Sequence, residues 1–214
     1  NKWFYENEFY LTSEKSRIKK ITDHYEIYKK VSHLEGDIIE CGVFKGVSLI
    51  RFLTFRAFDS MSKIKKIYGF DIFGSFPRPN KNKDHNKRDT SFAKSHDKKI
   101  GLGIKKKKLN DILRTKGFKN FSLIEGDVTE TIEQFIKNKK KIKIALLHLD
   151  MDVYEPTKHT LNKLFKFIVK NGIILIDDYK HIRGATIAID EFMKKNKKLK
   201  IQKISIKSRP SFII

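Results

Sequence analysis

Residues Asp37 to Gly46 read DIIECGVFKG, and their reading decides the fold. Two isoleucines followed by Glu40 and Cys41 form a short apolar run that ends in polar residues, the pattern of a buried central strand. Gly42 and Gly46 follow. Ser48 then opens the apolar run LIRFLTFRAF, which predicts a helix. Gly42 allows a tight turn with close backbone approach to a ligand, and Gly46 lets the helix start pack closely on the sheet. The turn is not GxGxxG, nor is it a Walker phosphate loop, which needs GKS or GKT. A plain strand-to-helix turn is the competing reading.

Outward from this turn the chain alternates. Upstream, residues 1–15 read as an irregular or short helical arm, and Ile18, Ile21, Tyr25, Tyr28, Val31 and Leu34 give a helical period that stops at Gly36. Downstream, strands are predicted at Lys66 to Phe70, Phe121 to Glu125, Ile142 to Leu149 and Gly172 to Ile176. Helices fit Lys105 to Lys116, Thr129 to Ile136, a stretch from Pro156 through Ile168 closed by Asn171-Gly172, and Thr186 to Lys195. Leu199 to Ile206 and Ser211 to Ile214 read as terminal strands. Between Ile72 and Lys99 lies a stretch rich in Gly, Pro, Asn, Asp and Lys with no sustained period. It is long for a connection and is expected to be a lid or acceptor-binding segment, with a short helix in its second half. Strands alternating with helices predict an α/β fold, a largely parallel sheet covered on both faces.

Composition narrows the function. Among 214 residues, Lys and Arg number 47 against 25 Asp and Glu, a formal net charge of +22. Only eight of the 47 are arginine. Readers of phosphates and base edges lean on the planar guanidinium, whereas here lysine is spread over every surface-like segment. Solvated faces and compositional drift account for most of the charge, with attraction of an anionic substrate as the alternative. Cys41 is the only cysteine, which excludes an internal disulfide framework and a cysteine-cluster metal site. No apolar stretch approaches the roughly 20 residues of a membrane helix. The start NKWFYENEFY is too aromatic and acidic for a signal peptide, so a cytoplasmic location is expected, although a chain beginning with Asn can be a fragment. The aromatic arm either packs on a second copy, making a homo-oligomer, or covers its own sheet.

In parallel sheets ligands bind at the carboxyl ends of the strands. Attention therefore falls on Glu40, Asp71, Asp127, Asp150, Asp177 and Asp178. Asp71, about thirty residues beyond the glycine turn, is placed to accept hydrogen bonds from ribose hydroxyls. Asp127 is placed to accept from an adenine amino group, or to cap a helix. Asp150, Asp177 and Asp178 are expected to converge, and three carboxylates repel unless protonated or neutralised by a cation. Hard oxygen ligands around an open position suit Mg²⁺, with Mn²⁺ or Ca²⁺ as alternatives. Asp152 shapes the turn or helps hold a substrate. His148 reads as a core histidine or a cleft residue, and His181 as a substrate-reaching or an exposed loop histidine.

These residues carry a resemblance. GDIIECGVFKGVS (Gly36 to Ser48), YGFDIFGSFP (Tyr68 to Pro77), EGDVTETI (Glu125 to Ile132), LLHLDMDVYEPT (Leu146 to Thr157), GIILIDDY (Gly172 to Tyr179) and GATIAIDEF (Gly184 to Phe192) resemble class I S-adenosylmethionine-dependent methyltransferases. The similarity is closest to the macrocin O-methyltransferase family, whose members methylate sugar hydroxyls. The resemblance implies a Rossmann-like domain over residues 36–214 with a mostly parallel seven-stranded sheet, and residues 1–35 packing on it as an arm and helix. It implies that Glu40, Gly42, Val43, Gly46 and Ser48 form the first S-adenosylmethionine turn, with Asp71 on the ribose and Asp127 on the adenine side. It further implies Mg²⁺ on Asp150, Asp177 and Asp178, and an acceptor that is a sugar or glycoside, free or linked to a nucleotide or polysaccharide. Asp150 is the first choice to take the acceptor's proton and His181 the second. The Asp71 to Lys99 loop and the short arm depart from the family where acceptors are chosen. Catechol-type methyl transfer follows the same logic. A nucleic-acid methyltransferase would need an Arg-rich or aromatic platform, and none is evident, so no nucleic-acid partner is expected.

Overall fold

The computed structural model describes residues 1–59, 65–76, 84–139 and 141–214. Helices α1 (Lys2–Thr12) and α2 (Lys15–Ser32) lead into β1 (Asp37–Cys41), α3 (Val47–Phe58) and β2 (Ile67–Asp71). Then come α4 (Asp84–Ile100), α5 (Lys106–Thr115), β3 (Phe121–Glu125), α6 (Val128–Asn138) and β4 (Ile144–Leu149). The chain closes with α7 (Tyr154–Leu164), β5 (Ile168–Ile176), α8 (Arg183–Lys195), β6 (Ile201–Gln202) and β7 (Ser211–Ile213). The strands form one seven-stranded sheet in the order β3-β2-β1-β4-β5-β7-β6. The first five are parallel, and β7 runs antiparallel to both β5 and β6. The order reverses between β1 and β4, which opens a crevice at their carboxyl ends.

The pleat sorts the central strands onto two cores. Ile39 and Cys41 of β1, Leu147 and Leu149 of β4, and Ile174 and Ile176 of β5 meet Ile132, Leu161, Ile189 and Phe192 from α6, α7 and α8. Ile38, Leu146, Ile173 and Leu175 face the other way, against Ile27 and Val31 of α2, Leu49, Phe52 and Leu53 of α3, and Leu109 and Leu113 of α5. Every residue of β4 is buried, as a continuous apolar run on a doubly covered strand requires. Glu40 and His148 stand opposite each other in the β1–β4 register, so the period of two sends both polar side chains into the second core.

Of the two readings of the arm, irregular or short helical, the structure has the helix, α1, none of whose residues is buried. Three other local readings change. The expected loop 72–99 becomes a 17-residue helix, α4, over its later part, while residues 77–83 lie outside the described residues. Among the described side chains of α4 only Ala93 and Asp89 are buried, so the core leaves almost no apolar period to read there. The helix expected to run through Ile168 stops at Leu164, and a short 3₁₀ turn leads into β5 at Ile168. Asn171-Gly172 is therefore an irregularity inside β5: Ile144 pairs with Ile168 but Leu146 pairs with Ile173, and Asn171 sits at φ 65°. Finally, the strand expected at 199–206 is reduced to two residues, Ile201–Gln202.

The join between β1 and β4 is tight. Gly42 has φ +92°, and a Cβ there would lie 1.9 Å from the carbonyl oxygen of Asp150. A Gly42→Ala chain is expected to lose at least about 2 kcal/mol of stability from left-handed strain and enforced separation of the two strands. Urea unfolding of both proteins measures this, and a difference near zero would refute the close approach.

Candidate active site

A cavity of about 610 Å³ opens at the carboxyl ends of the parallel strands. The glycine turn forms one wall. Gly42, Phe44 and Gly46 all take positive φ, so the chain folds back on itself between β1 and α3. Asp71, at the end of β2, holds that turn: Oδ2 accepts from the Val43 and Phe44 amides at 2.7 and 2.8 Å, and Oδ1 accepts from the Phe73 amide at 2.6 Å. A carboxylate has about four acceptor sites, so Asp71 keeps roughly one for a ligand hydroxyl. Asp127 both caps and lines. Its Oδ1 accepts from the amide and hydroxyl of Thr129 at 2.8 and 2.7 Å at the start of α6, and the residue borders the cavity.

Of the residues expected in the first turn, Gly42 borders the cavity, and Val43 and Gly46 shape the turn from behind. Glu40 and Ser48 do not line it. They are buried beneath it, where the Ser48 hydroxyl donates to Glu40 Oε1 at 2.8 Å.

The floor is acidic. Asp150, Asp152 and Asp178 each present a carboxylate oxygen, all within 4.8 Å of one another. Burial and the neighbouring Asp177 and Asp178 push the Asp150 carboxyl well above its usual range. Burial, Asp152 and Asp177 push Asp178 up to about 8, and burial pushes Asp152 up as well. Like charges packed out of water resist ionising together.

Asp177 departs from the expected grouping with Asp150 and Asp178. It belongs to a buried cluster with His24 and His148, while still close enough to raise Asp150 and Asp178. Its Oδ2 accepts from Lys20, whose ammonium is also 4.0 Å from Asp150, and its Oδ1 lies 3.5 Å from His24 and 3.8 Å from His148. On its other nitrogen His148 lies 3.4 Å from Glu40. Although burial opposes it, the Asp177 and Glu40 carboxylates raise His148 to about 10, which keeps it a cation. Burial lowers His24 to about 4, which keeps it neutral. Burial also raises Asp177, but the two imidazoles and Lys20 outweigh that and hold it well below the usual carboxylate range. Two carboxylates, Asp150 and Asp152, therefore face the cavity with Asp178 buried against them, and Asp177 is held ionised behind.

His181 is exposed and does not border the cavity. Instead α4 supplies His96, which lines the cavity with Phe44 and Phe76; the His96 ring lies 5.2 Å from Phe44 and 5.1 Å from Phe76. No pattern in the Lys-rich segment around His96 marks it, because its partners come from β1's turn and the end of β2. Lys20 and His24, one turn apart on α2, were hidden for the same reason: they read as the polar side of an amphipathic helix.

A model of the macrocin O-methyltransferase (TylF) family matches residues 11–209. The chain belongs to the macrocin O-methyltransferase family. A curated relative, demethyldecarbamoylnovobiocin O-methyltransferase of Streptomyces niveus, is 25% identical over 168 residues, 77% of this chain and 60% of that protein. The chain thus spans about 60% of the length of the curated relative it matches. Among solved structures, the calicheamicin methyltransferase CalS11 superposes with a TM-score of 0.72 at 21% identity, over 97% of this chain and 82% of that one. The O-methyltransferase NovP superposes with a TM-score of 0.73 at 20% identity, over 91% of this chain and 78% of that one. The fold is that of the class I methyltransferases, as the family requires. No helix among the described residues is long and apolar enough to cross a membrane.

Replacing His148 by Leu leaves Glu40 and Asp177 buried without their shared cation and is expected to cost about 3–5 kcal/mol. Because the folded state raises the His148 pKa, its contribution is complete below about pH 6.5 and drains away as pH climbs toward 10. Denaturant unfolding of both proteins should therefore show the largest gap near neutrality and a shrinking gap in alkali. Equal stability at pH 7 would refute the role of His148.

Proposed function

We propose that this chain is an S-adenosylmethionine-dependent O-methyltransferase that methylates a hydroxyl of a sugar or glycoside with the help of a divalent cation. The observation that carries this reading is the meeting of the glycine turn, Asp71 and Asp127 on one side of a single cavity with Asp150 and Asp152 on its floor, clustered with the buried Asp178. The family supports the same reading. CalS11 is described as a TDP-rhamnose 3'-O-methyltransferase, which makes a sugar hydroxyl a sensible acceptor class to test first.

The residues fit the groups that the reading requires. Gly42 brings backbone to the cavity where no Cβ fits, and Asp71 and Asp127 each retain acceptor capacity beside it, as a nucleoside-bearing donor needs. S-adenosylmethionine would supply an electrophilic methyl group. Asp150, Asp152 and Asp178 present hard oxygen donors whose mutual repulsion a cation relieves. Mg²⁺ held there would supply Lewis acidity at the acceptor. In this reading Asp177, which the family resemblance places among the ligands, supports the site from behind through Lys20. Asp150 stands on the cavity floor with a carboxyl pushed upward by burial and its neighbours, and takes the acceptor's proton. His181, outside the cavity, leaves that step to Asp150.

One observation favours a second reading. Phe44, Phe76 and His96 give the cavity an aromatic wall, and a planar catechol-type diol stacks on such a wall as readily as the C–H face of a pyranose. Transfer of a labelled methyl group to sugar diols and to catechols, assayed side by side, separates the two. Sugar turnover with inert catechols is expected.

Asp150→Asn is expected to lower turnover by at least about 100-fold while S-adenosylhomocysteine binding, followed by calorimetry, persists. His181→Ala should leave turnover near the wild-type value. Exhaustive chelation should abolish activity, and added Mg²⁺ should restore it. Full activity after chelation would remove the cation from the mechanism, and full activity of Asp150→Asn would remove Asp150 from the proton step.

A further inference from the structure

Helix α1 is the one α-helix of the described structure with no buried residue. Trp3 is 72% exposed and Leu11 81%, and Phe4, Tyr5 and Tyr10 are exposed as well. Wound at 3.6 residues per turn, α1 gathers Trp3, Phe4, Tyr10 and Leu11 on one face, and Glu6 and Glu8 flank that face on its two sides. An isolated helix of this length is marginal in water, and so large an uncovered aromatic face marks a contact surface.

A complementary surface exists on the same chain. Apart from α1, the exposed aromatic side chains among the described residues are Tyr25 on α2 and Phe58 on α3. They belong to one patch: the Tyr25 ring lies 5.2 Å from that of Phe55, and Phe58 follows Phe55 by one turn. Lys29 stands 5.2 Å over the Tyr25 ring and is paired with Glu26 at 2.9 Å. Charge matches too. Residues 1–14 hold one lysine against three glutamates, while the other 200 residues hold 46 basic and 22 acidic side chains.

We propose that α1 of one copy of this chain docks on the Tyr25–Phe58 patch of a second copy, and that the exchange is reciprocal. An aromatic face flanked by glutamates then meets an aromatic patch on the strongly basic remainder of the partner chain, twice, around a two-fold axis. Stable interfaces bury about 1,200–2,000 Å² in total, and reciprocity doubles the area that one short helix offers. The proposal is independent of the methyl-transfer reading, because neither surface borders the cavity.

Trp3 is the only tryptophan, so its fluorescence reports the contact directly. Sedimentation velocity and Trp3 emission are to be followed together from sub-micromolar to high micromolar protein. The expected result is a monomer–dimer transition with a blue shift of Trp3 in step with it, weakened by salt. Phe58→Glu alters a side chain that is 85% exposed, so it should keep the wild-type far-ultraviolet spectrum and return a monomer with solvent-exposed Trp3. A chain that stays monomeric with constant Trp3 emission overturns the proposal. So does a dimer that survives Phe58→Glu, or a blue shift that appears only when phosphatidylserine vesicles are added, which would assign α1 to a membrane surface.

Discussion

The backbone of Gly42 passes against the carbonyl of Asp150 with no room for a methyl group between them. That contact fixes everything around the cavity. The Asp150 amide donates to the carbonyl of Cys41 at 2.9 Å, and the Gly42 amide donates to that of Phe70 at 2.9 Å, so the ends of β1, β2 and β4 are tied at one level. Asp71 then draws the turn toward β2 through two amides, those of Val43 and Phe44. The wall suited to a nucleoside and the acidic floor are thus two consequences of one strand junction. Their separation is set by backbone, which is far stiffer than side chains.

Beneath that junction the structure separates charge from ligand. Four aspartates lie close together, but only in Asp177 do His148, His24 and Lys20 outweigh burial. Lys20 and His148 also act on Asp150, where burial and the neighbouring carboxylates prevail, and Asp150 and Asp152 are the groups left facing the cavity. The same side-chain type is structural in one case and chemically open in its neighbours, and the difference comes from what α2 places nearby. The helix that reads as an accessory to the domain therefore participates in the electrostatics of the floor.

Much of this could be read from the chain. Continuous apolar strands flanked by glycine and aspartate announced the parallel sheet, and positions such as Gly42, Asp71, Asp127 and Asp150 fell where strand ends converge. What escaped depended on tertiary partners. Asp177 and Asp178 are adjacent in the bend just past β5, yet one groups with His24 and His148 and the other with Asp150 and Asp152, which no local pattern foretells. The polar ladder from Glu40 through His148 to Asp177 crosses three strands and α2, with no period to betray it. Helix α4 was legible only as a short helix, and its length was missed, because a helix laid over a site, with Asp89 accepting from the Tyr154 amide at 2.9 Å, shows little of the apolar stripe by which helices are recognised.

Cys41, placed mid-sheet by the strand with which the reading began, is buried completely, and its surroundings push the thiol far from ionisation. A thiol-specific reagent reaches only the thiolate, and only when β1 parts from its neighbours. The rate at which the chain takes up such a reagent is then a clock for opening of the central sheet, read at a single native atom and without any engineered label.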